Sequence, residues 1–187
     1  MSGTVVVING ASSSGKSSIL LALQEASPQP YMDMGVDRFI SMLPARYLRR
    51  PLWDDVLGVA TEPGAAGRAL FSGMHQAIAA MARLGNNVVA DHVLVTPSWV
   101  QECAVLFADL PAYLIGVRCP LDLLEQRERQ RKNRTLGQAR LQFDLVRQYC
   151  RYDLELDTSR LSPQECAHRI LARLETPPSA FLSLNSQ

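Results

Sequence analysis

The chain has 187 residues with 19 basic and 18 acidic side chains, a net charge of +1, and 47% hydrophobic residues. That length suits one domain with a continuous core around a five-stranded sheet, and the near balance of charge argues against a protein that coats nucleic acid or an anionic membrane. Cys103, Cys119, Cys150 and Cys166 form no C-x-x-C pair, no secretory leader precedes the first strand and no apolar run approaches the ~20 residues of a membrane span, so the expectation is a soluble cytoplasmic protein with reduced thiols.

Thr4-Val5-Val6-Val7-Ile8 reads as a buried strand, and Ile19, Leu20 and Leu23 recur at helical spacing. Between them, Gly10-Ala11-Ser12-Ser13-Ser14-Gly15-Lys16-Ser17 spells the phosphate-binding form G-x-x-x-x-G-K-S, in the strand, loop and helix context that motif requires. Gly10 and Gly15 let the backbone curl until its N–H groups converge on phosphate oxygens, and the helix N-terminus, which includes Ser18, adds a favourable dipole. Lys16 is expected to reach the β- and γ-phosphates of ATP, and Ser17 to ligate Mg2+. The competing reading is a Gly/Ser-rich turn that happens to carry a lysine. Lysine usage weighs against it, since the chain has seventeen arginines but only Lys16 and Lys132.

Past the break at Ser27-Pro28-Gln29-Pro30, Tyr31-Met32-Asp33-Met34 predicts a short second strand, and a helix starts near Asp37 with Phe39, Met42 and Leu43 on its apolar side until Pro44. Asp37 would lie at the C-terminal edge of the sheet, where open α/β folds bind ligands, and could take a hydroxyl proton during phosphoryl transfer. It could equally be an N-cap satisfying the Phe39 or Ile40 amide. Arg46 to Gly67 has no clean period yet holds Leu52, Trp53, Val56 and Leu57, as a binding loop or lid would.

Leu70, Met74, Ala77, Ile78, Met81 and Leu84 mark an amphipathic helix stopped by Gly85, followed by a strand at Asn87-Val88-Val89-Ala90-Asp91. Asp91 fits an acid that holds magnesium or its water, against the plainer role of ending a strand. His92 follows it, and a lone histidine is more often structural than a base. Pro97 and Ser98 begin a helix, Ala112 to Val117 forms a fourth strand, and Pro120 opens a charged helix.

In that helix Arg127, Arg131 and Arg134 are spaced i, i+4, i+7, which puts three guanidinium groups on one face able to clamp a phosphate in transfer. A solvated surface helix is the alternative, with Glu125–Arg129 and Glu128–Lys132 as i, i+4 pairs. Gln138 to Tyr149 reads as helix and Tyr152 to Asp157 as a fifth strand. Ser162-Pro163-Gln164-Glu165 has the spacing of a capping box, and the tail beyond Pro177-Pro178 is expected to be loose. Strands alternating with helices predict a three-layer α/β fold with a five-stranded, mainly parallel sheet, as one domain over 1–176 with a lid near 125–137 and a loose tail at 177–187.

Taken together, the segments Asn9 to Ser17, Gly35-Val36-Asp37, Val88 to Asp91, Gly116-Val117-Arg118-Cys119 and Tyr152 to Thr158 resemble the chloramphenicol phosphotransferase family of P-loop kinases, over nearly the whole chain to about Arg173. The resemblance implies a P-loop kinase fold similar to nucleoside monophosphate kinases and ATP-dependent phosphorylation of a small-molecule hydroxyl. It also implies Asp37 as the base and Arg131 and Arg134 as lid arginines. His92, where a second acid can stand, and Arg147, where a histidine is common, depart from the pattern, as does the stretch from Arg46 to Gly67. The acceptor is therefore chloramphenicol or another hydroxylated metabolite. A nucleotide-dependent switch or regulatory protein is the alternative of a different class, although the chain has neither an Asn-Lys-x-Asp nor a Leu-Ser-Gly-Gly-Gln motif.

Overall fold

A computed structural model describes residues 1–49, 64–130 and 136–185. The strands are β1 (Val5–Asn9), β2 (Tyr31–Asp33), β3 (Asn87–His92), β4 (Ala112–Arg118) and β5 (Leu154–Asp157). They form one sheet in the order β2-β3-β1-β4-β5 with every pairing parallel. The helices are α1 (Lys16–Ala26), α2 (Val36–Ser41), α3 (Ala65–Arg83), α4 (Pro97–Leu106), α5 (Leu121–Gln130), α6 (Gln138–Phe143), α7 (Leu145–Gln148), α8 (Pro163–Arg173) and α9 (Ala180–Asn185), with a 3-10 turn at Ala45–Leu48.

β1 is buried along its whole length because it is central and covered on both faces, which is why it reads as an unbroken apolar run rather than an alternation. Val5 and Val7 point into a core with Met74, Ile78 and Phe107 from α3 and the α4 end, while Val6 and Ile8 point into a second core with Ile19, Leu23 and Ile170 from α1 and α8. These are the two outer layers of the expected three. A third cluster, Ala11, Val95, Leu124, Ala139 and Val146, caps the C-terminal edge of the sheet where the strands deliver their loops. No helix among the described residues is long and apolar enough to cross a membrane.

Several local expectations are met by side chains. Ser162 caps α8 by accepting the Glu165 amide, while Glu165 reaches back to the Ser162 amide. Thr96 caps α4 with Pro97 in the first turn. Others are overturned by tertiary partners. Glu125 pairs with Arg140 at 2.7 Å rather than with Arg129. Glu128 is buried at 2% exposure and accepts the Gly137 and Ala139 amides at 2.7 and 2.9 Å, so it caps α6. Lys132 lies outside the described residues, as do Trp53 and most of the 46–67 stretch. The 138–149 helix is broken into α6 and α7, and the fifth strand starts two residues later than expected because Tyr152 and Asp153 turn inward as anchors.

The tail expected to be loose is a helix. Phe181 of α9 is 2% exposed and meets Phe107 edge to face at 5.4 Å between centroids. Its start is fixed by the carboxylate of Asp153, which accepts the Ser179 and Ala180 amides at 2.8 and 3.1 Å, Arg173 Nη2 at 2.9 Å and, through its other oxygen, the Leu114 amide at 2.9 Å. The Asp153 side chain is 0% exposed, so Asp153→Ala would take the carboxylate from a half-buried guanidinium and leave the Leu114, Ser179 and Ala180 amides without this acceptor. A loss of about 3–5 kcal/mol is expected in urea unfolding, and a loss below about 1 kcal/mol would show that α9 is held by apolar packing alone.

Candidate active site

The end of β1 hands the chain to the loop Gly10–Gly15, and the backbone there turns through two left-handed residues, Ser13 at φ 64° and Gly15 at φ 95°. Gly15 adopts this without a Cβ penalty and starts α1, so the α1 N-terminus and its dipole face the loop. Ser12, Ser13, Ser14 and Lys16 are all buried. The hydroxyls of Ser13 and Ser14 are enclosed and make no hydrogen bond within the described residues. Buried hydroxyls without partners cost about 1–3 kcal/mol each, and a ligand rich in acceptor oxygens removes that cost. The Lys16 ammonium folds back over the loop, donating to the Gly10 and Ala11 carbonyls at 2.8 and 2.9 Å.

β3 lies beside β1 with Asp91 level with Ile8, which brings the two predicted metal ligands together. Ser17 Oγ donates to Asp91 Oδ2 at 2.7 Å. A hydroxyl and a carboxylate in contact are the oxygen donors that magnesium takes alongside water and phosphate. Gly35 stands where its backbone must pass this pair, because a Cβ on it would fall 2.1 Å from Asp91 Oδ1. The Gly35 amide donates to Asp33 Oδ1 at 3.0 Å, and Arg38 binds the other oxygen of that carboxylate at 2.7 Å.

Asp37 stands two residues beyond Gly35, exposed, in the first turn of α2. The N-cap of that helix is Gly35, without a side-chain cap bond, so the capping alternative for Asp37 is set aside. It follows the C-terminal end of β2.

Arg127 is drawn to the nucleotide side. Its guanidinium donates to Thr158 Oγ1 at 3.2 Å and Thr158 O at 3.0 Å, and the same Thr158 hydroxyl donates to Ser14 O at 2.8 Å. This clasp joins α5, the end of β5 and the phosphate loop. Beside it opens a cavity of about 280 Å³ lined by Ser18, Ile19, Arg127, Thr158, Leu161 and Pro163, among others. Apolar walls and one planar cation suit a flat heteroaromatic base. Arg131 and Arg134, the predicted lid arginines, lie outside the described residues.

Three organising residues escape a reading by motif. Asn9 is 0% exposed; its amide donates to Val146 O and Tyr152 Oη, both at 2.9 Å, and its oxygen accepts the Leu94 amide at 2.8 Å, tying three loops at the sheet edge. Gln142 accepts the Ser12 amide at 2.8 Å. Thr158 joins the loop as above. Asn9 and Thr158 lie in segments that carry the family resemblance, but no spacing assigns these partners to either.

A model of the chloramphenicol phosphotransferase-like proteins matches residues 3–175. The chain belongs to that family. Its members' chemistry makes this protein a small-molecule kinase, with a small-molecule acceptor. A Mycobacterium tuberculosis protein provisionally named an O-phosphotransferase is 29% identical, the match covering 90% of this chain and 80% of that one. The fold is that of P-loop kinases. The structure of Mycobacterium tuberculosis APS kinase CysC in complex with AMPPNP and APS superposes with a TM-score of 0.63 at 19% identity, covering 94% of this chain and 99% of that one. Shikimate kinase from Aquifex aeolicus superposes with a TM-score of 0.60 at 15% identity, covering 91% and 96%.

Proposed function

We propose that this kinase transfers the γ-phosphoryl group of ATP to a hydroxyl of a small molecule, chloramphenicol or another hydroxylated metabolite. The observation that carries the reading is the 2.7 Å bond between Ser17 and Asp91, which sets two oxygen ligands beside a loop whose serine hydroxyls are buried and unpaired. Magnesium bound there would neutralise charge on the β- and γ-phosphates. The loop amides from Gly10 to Gly15 and the Ser13 and Ser14 hydroxyls hold the phosphate oxygens, and Lys16 leaves its loop carbonyls to reach them. The cavity between Ile19, Arg127, Leu161 and Pro163 takes the adenine.

Asp37 accepts the proton of the acceptor hydroxyl as its oxygen forms the bond to phosphorus and the bond to the ADP oxygen breaks. Arg131 and Arg134 of the lid spread charge stabilisation over the transferred oxygens, the work to which the planar guanidinium is suited. ATP use and four free thiols suit a cytoplasmic setting. In family context the reaction is one of antibiotic inactivation if chloramphenicol is the acceptor.

The test is ADP release by purified protein with Mg·ATP, with and without chloramphenicol and then a panel of hydroxylated metabolites, with mass analysis of each acceptor. Acceptor-stimulated turnover with a phosphorylated product is expected. ATP turnover that no acceptor stimulates, with no phosphorylated product across the panel, would overturn the kinase reading in favour of a switch.

A further inference from the structure

Directly beside Asp91 lies a buried chain of polar side chains that the reaction above does not use. The His92 ring is 2% exposed and the His75 ring sits against it, 5.0 Å between centroids with 29° between planes. The Val93 amide donates to His92 Nδ1 at 2.7 Å, so that nitrogen carries a lone pair and the ring hydrogen of neutral His92 must be on Nε2. His92 Nε2 is 2.8 Å from His75 Nε2, which can then only accept. The His75 hydrogen is thereby placed on Nδ1, 2.9 Å from Glu102 Oε2, and Ser72 donates to the other oxygen of Glu102. A backbone amide at one end and a carboxylate at the other leave one arrangement of hydrogens along the whole chain. Burial favours the neutral form of both rings, and Phe71 and Trp99 wall the His92 ring at centroid distances of 6.0 and 5.8 Å.

The strand end held this way meets the start of the phosphate loop. His92 is the residue after Asp91, its carbonyl accepts the Gly10 amide at 3.3 Å, and the following Leu94 amide binds Asn9. A ring fixed at both nitrogens fixes the backbone that aims the Asp91 carboxylate at Ser17. Partners that hydrogen-bond a metal ligand directly change metal affinity by about 10–100-fold when removed, which sets the scale for partners that act through the residue next to Asp91.

We infer that His75 and Glu102 are positioning residues, which act through His92 to hold Asp91 and the start of the phosphate loop in the geometry that binds magnesium and nucleotide. The inference rests on the kinase reading and has its own readouts. The chain contains three histidines, and the third, His168, is exposed, so a nitrogen-15 imidazole spectrum of the intact protein near pH 7.5 resolves the tautomers directly. His92 is expected as the Nε2–H form and His75 as the Nδ1–H form; the reverse assignment for either ring overturns the proposal.

The second readout is magnesium-dependent binding of a fluorescent ADP analogue. His75→Leu is expected to raise the magnesium concentration for half-maximal binding by about 10–100-fold, while binding of the analogue in EDTA changes less than about twofold. His75→Gln keeps one acceptor and one donor and is expected to recover most of the loss. Should His75→Leu fail to fold, Glu102→Ala at the half-open end of the chain carries the same test with a smaller shift. Unchanged magnesium dependence in a folded variant overturns the positioning role and leaves the kinase reading standing. An equal fall in EDTA and in magnesium, matched by the melting temperature, also overturns it, as a structural role alone. Native protein that binds no nucleotide with magnesium overturns the kinase reading itself.

Discussion

Lys16→Ala is expected to lower kcat for phosphoryl transfer by about 10²–10³-fold or more, the cost of removing a preorganised charge from a developing anionic centre. Lys16 sets the size of this loss by where it lies. It is 8% exposed and rests on the Gly10 and Ala11 carbonyls, within the loop that would cradle the phosphates, so it needs only a side-chain rotation to exchange carbonyl partners for phosphate oxygens. In that enclosed setting its charge is screened far less than on a surface. The fold should survive with some loss of melting temperature, because the Gly10 and Ala11 carbonyls lose a buried donor. Steady-state kinetics with Mg·ATP checks this, and unchanged turnover in the folded variant would defeat the phosphate-loop assignment.

Asp37→Asn is the second large effect: kcat is expected to fall by about 10²–10⁴-fold while nucleotide affinity survives, because a neutral amide cannot accept the acceptor proton. Gly35, not Asp37, caps α2, and as an acid in the first turn of that helix Asp37 contributes a dipole interaction of about 0.3–1 kcal/mol. The melting temperature should therefore stay close to that of the native protein. Paired measurements of kcat, nucleotide Kd and Tm decide it. If nucleotide affinity and stability fall together while kcat at saturation holds, Asp37 is part of the scaffold and the base lies elsewhere.

What could be read from the chain followed the range of the interactions. The phosphate loop, the Ser162–Glu165 box and the apolar strands are written within a few neighbouring residues, and each occurs in the structure. Asp91 was legible because a strand-ending acid has a local pattern, although its contact with Ser17 depends on β3 lying beside β1. The partners of Asn9, Gln142 and the His75–Glu102 pair were not legible, since they stand up to 143 residues away and no spacing rule links them. The i, i+4 pairing expected for Glu125 with Arg129 failed for a related reason. Local pairs are worth only about 0.2–0.5 kcal/mol, and Glu125 took Arg140 across a loop instead. The tail was misread at Pro177-Pro178, where two helix-breaking residues hid the apolar positions Phe181 and Leu184 that follow.

That last helix also sets the order in which the molecule can be completed during synthesis. One face of the core, with Phe107 at its centre, is closed by Phe181 of α9, and Asp153 holds its amide partners only once Ser179 and Ala180 are in place. A nascent chain therefore presents an open aromatic surface and a buried carboxylate lacking those partners until translation has passed residue 180. A product cut short before that point keeps its phosphate loop, strands and candidate base, yet displays to chaperones and proteases the surface by which an unfinished protein is recognised.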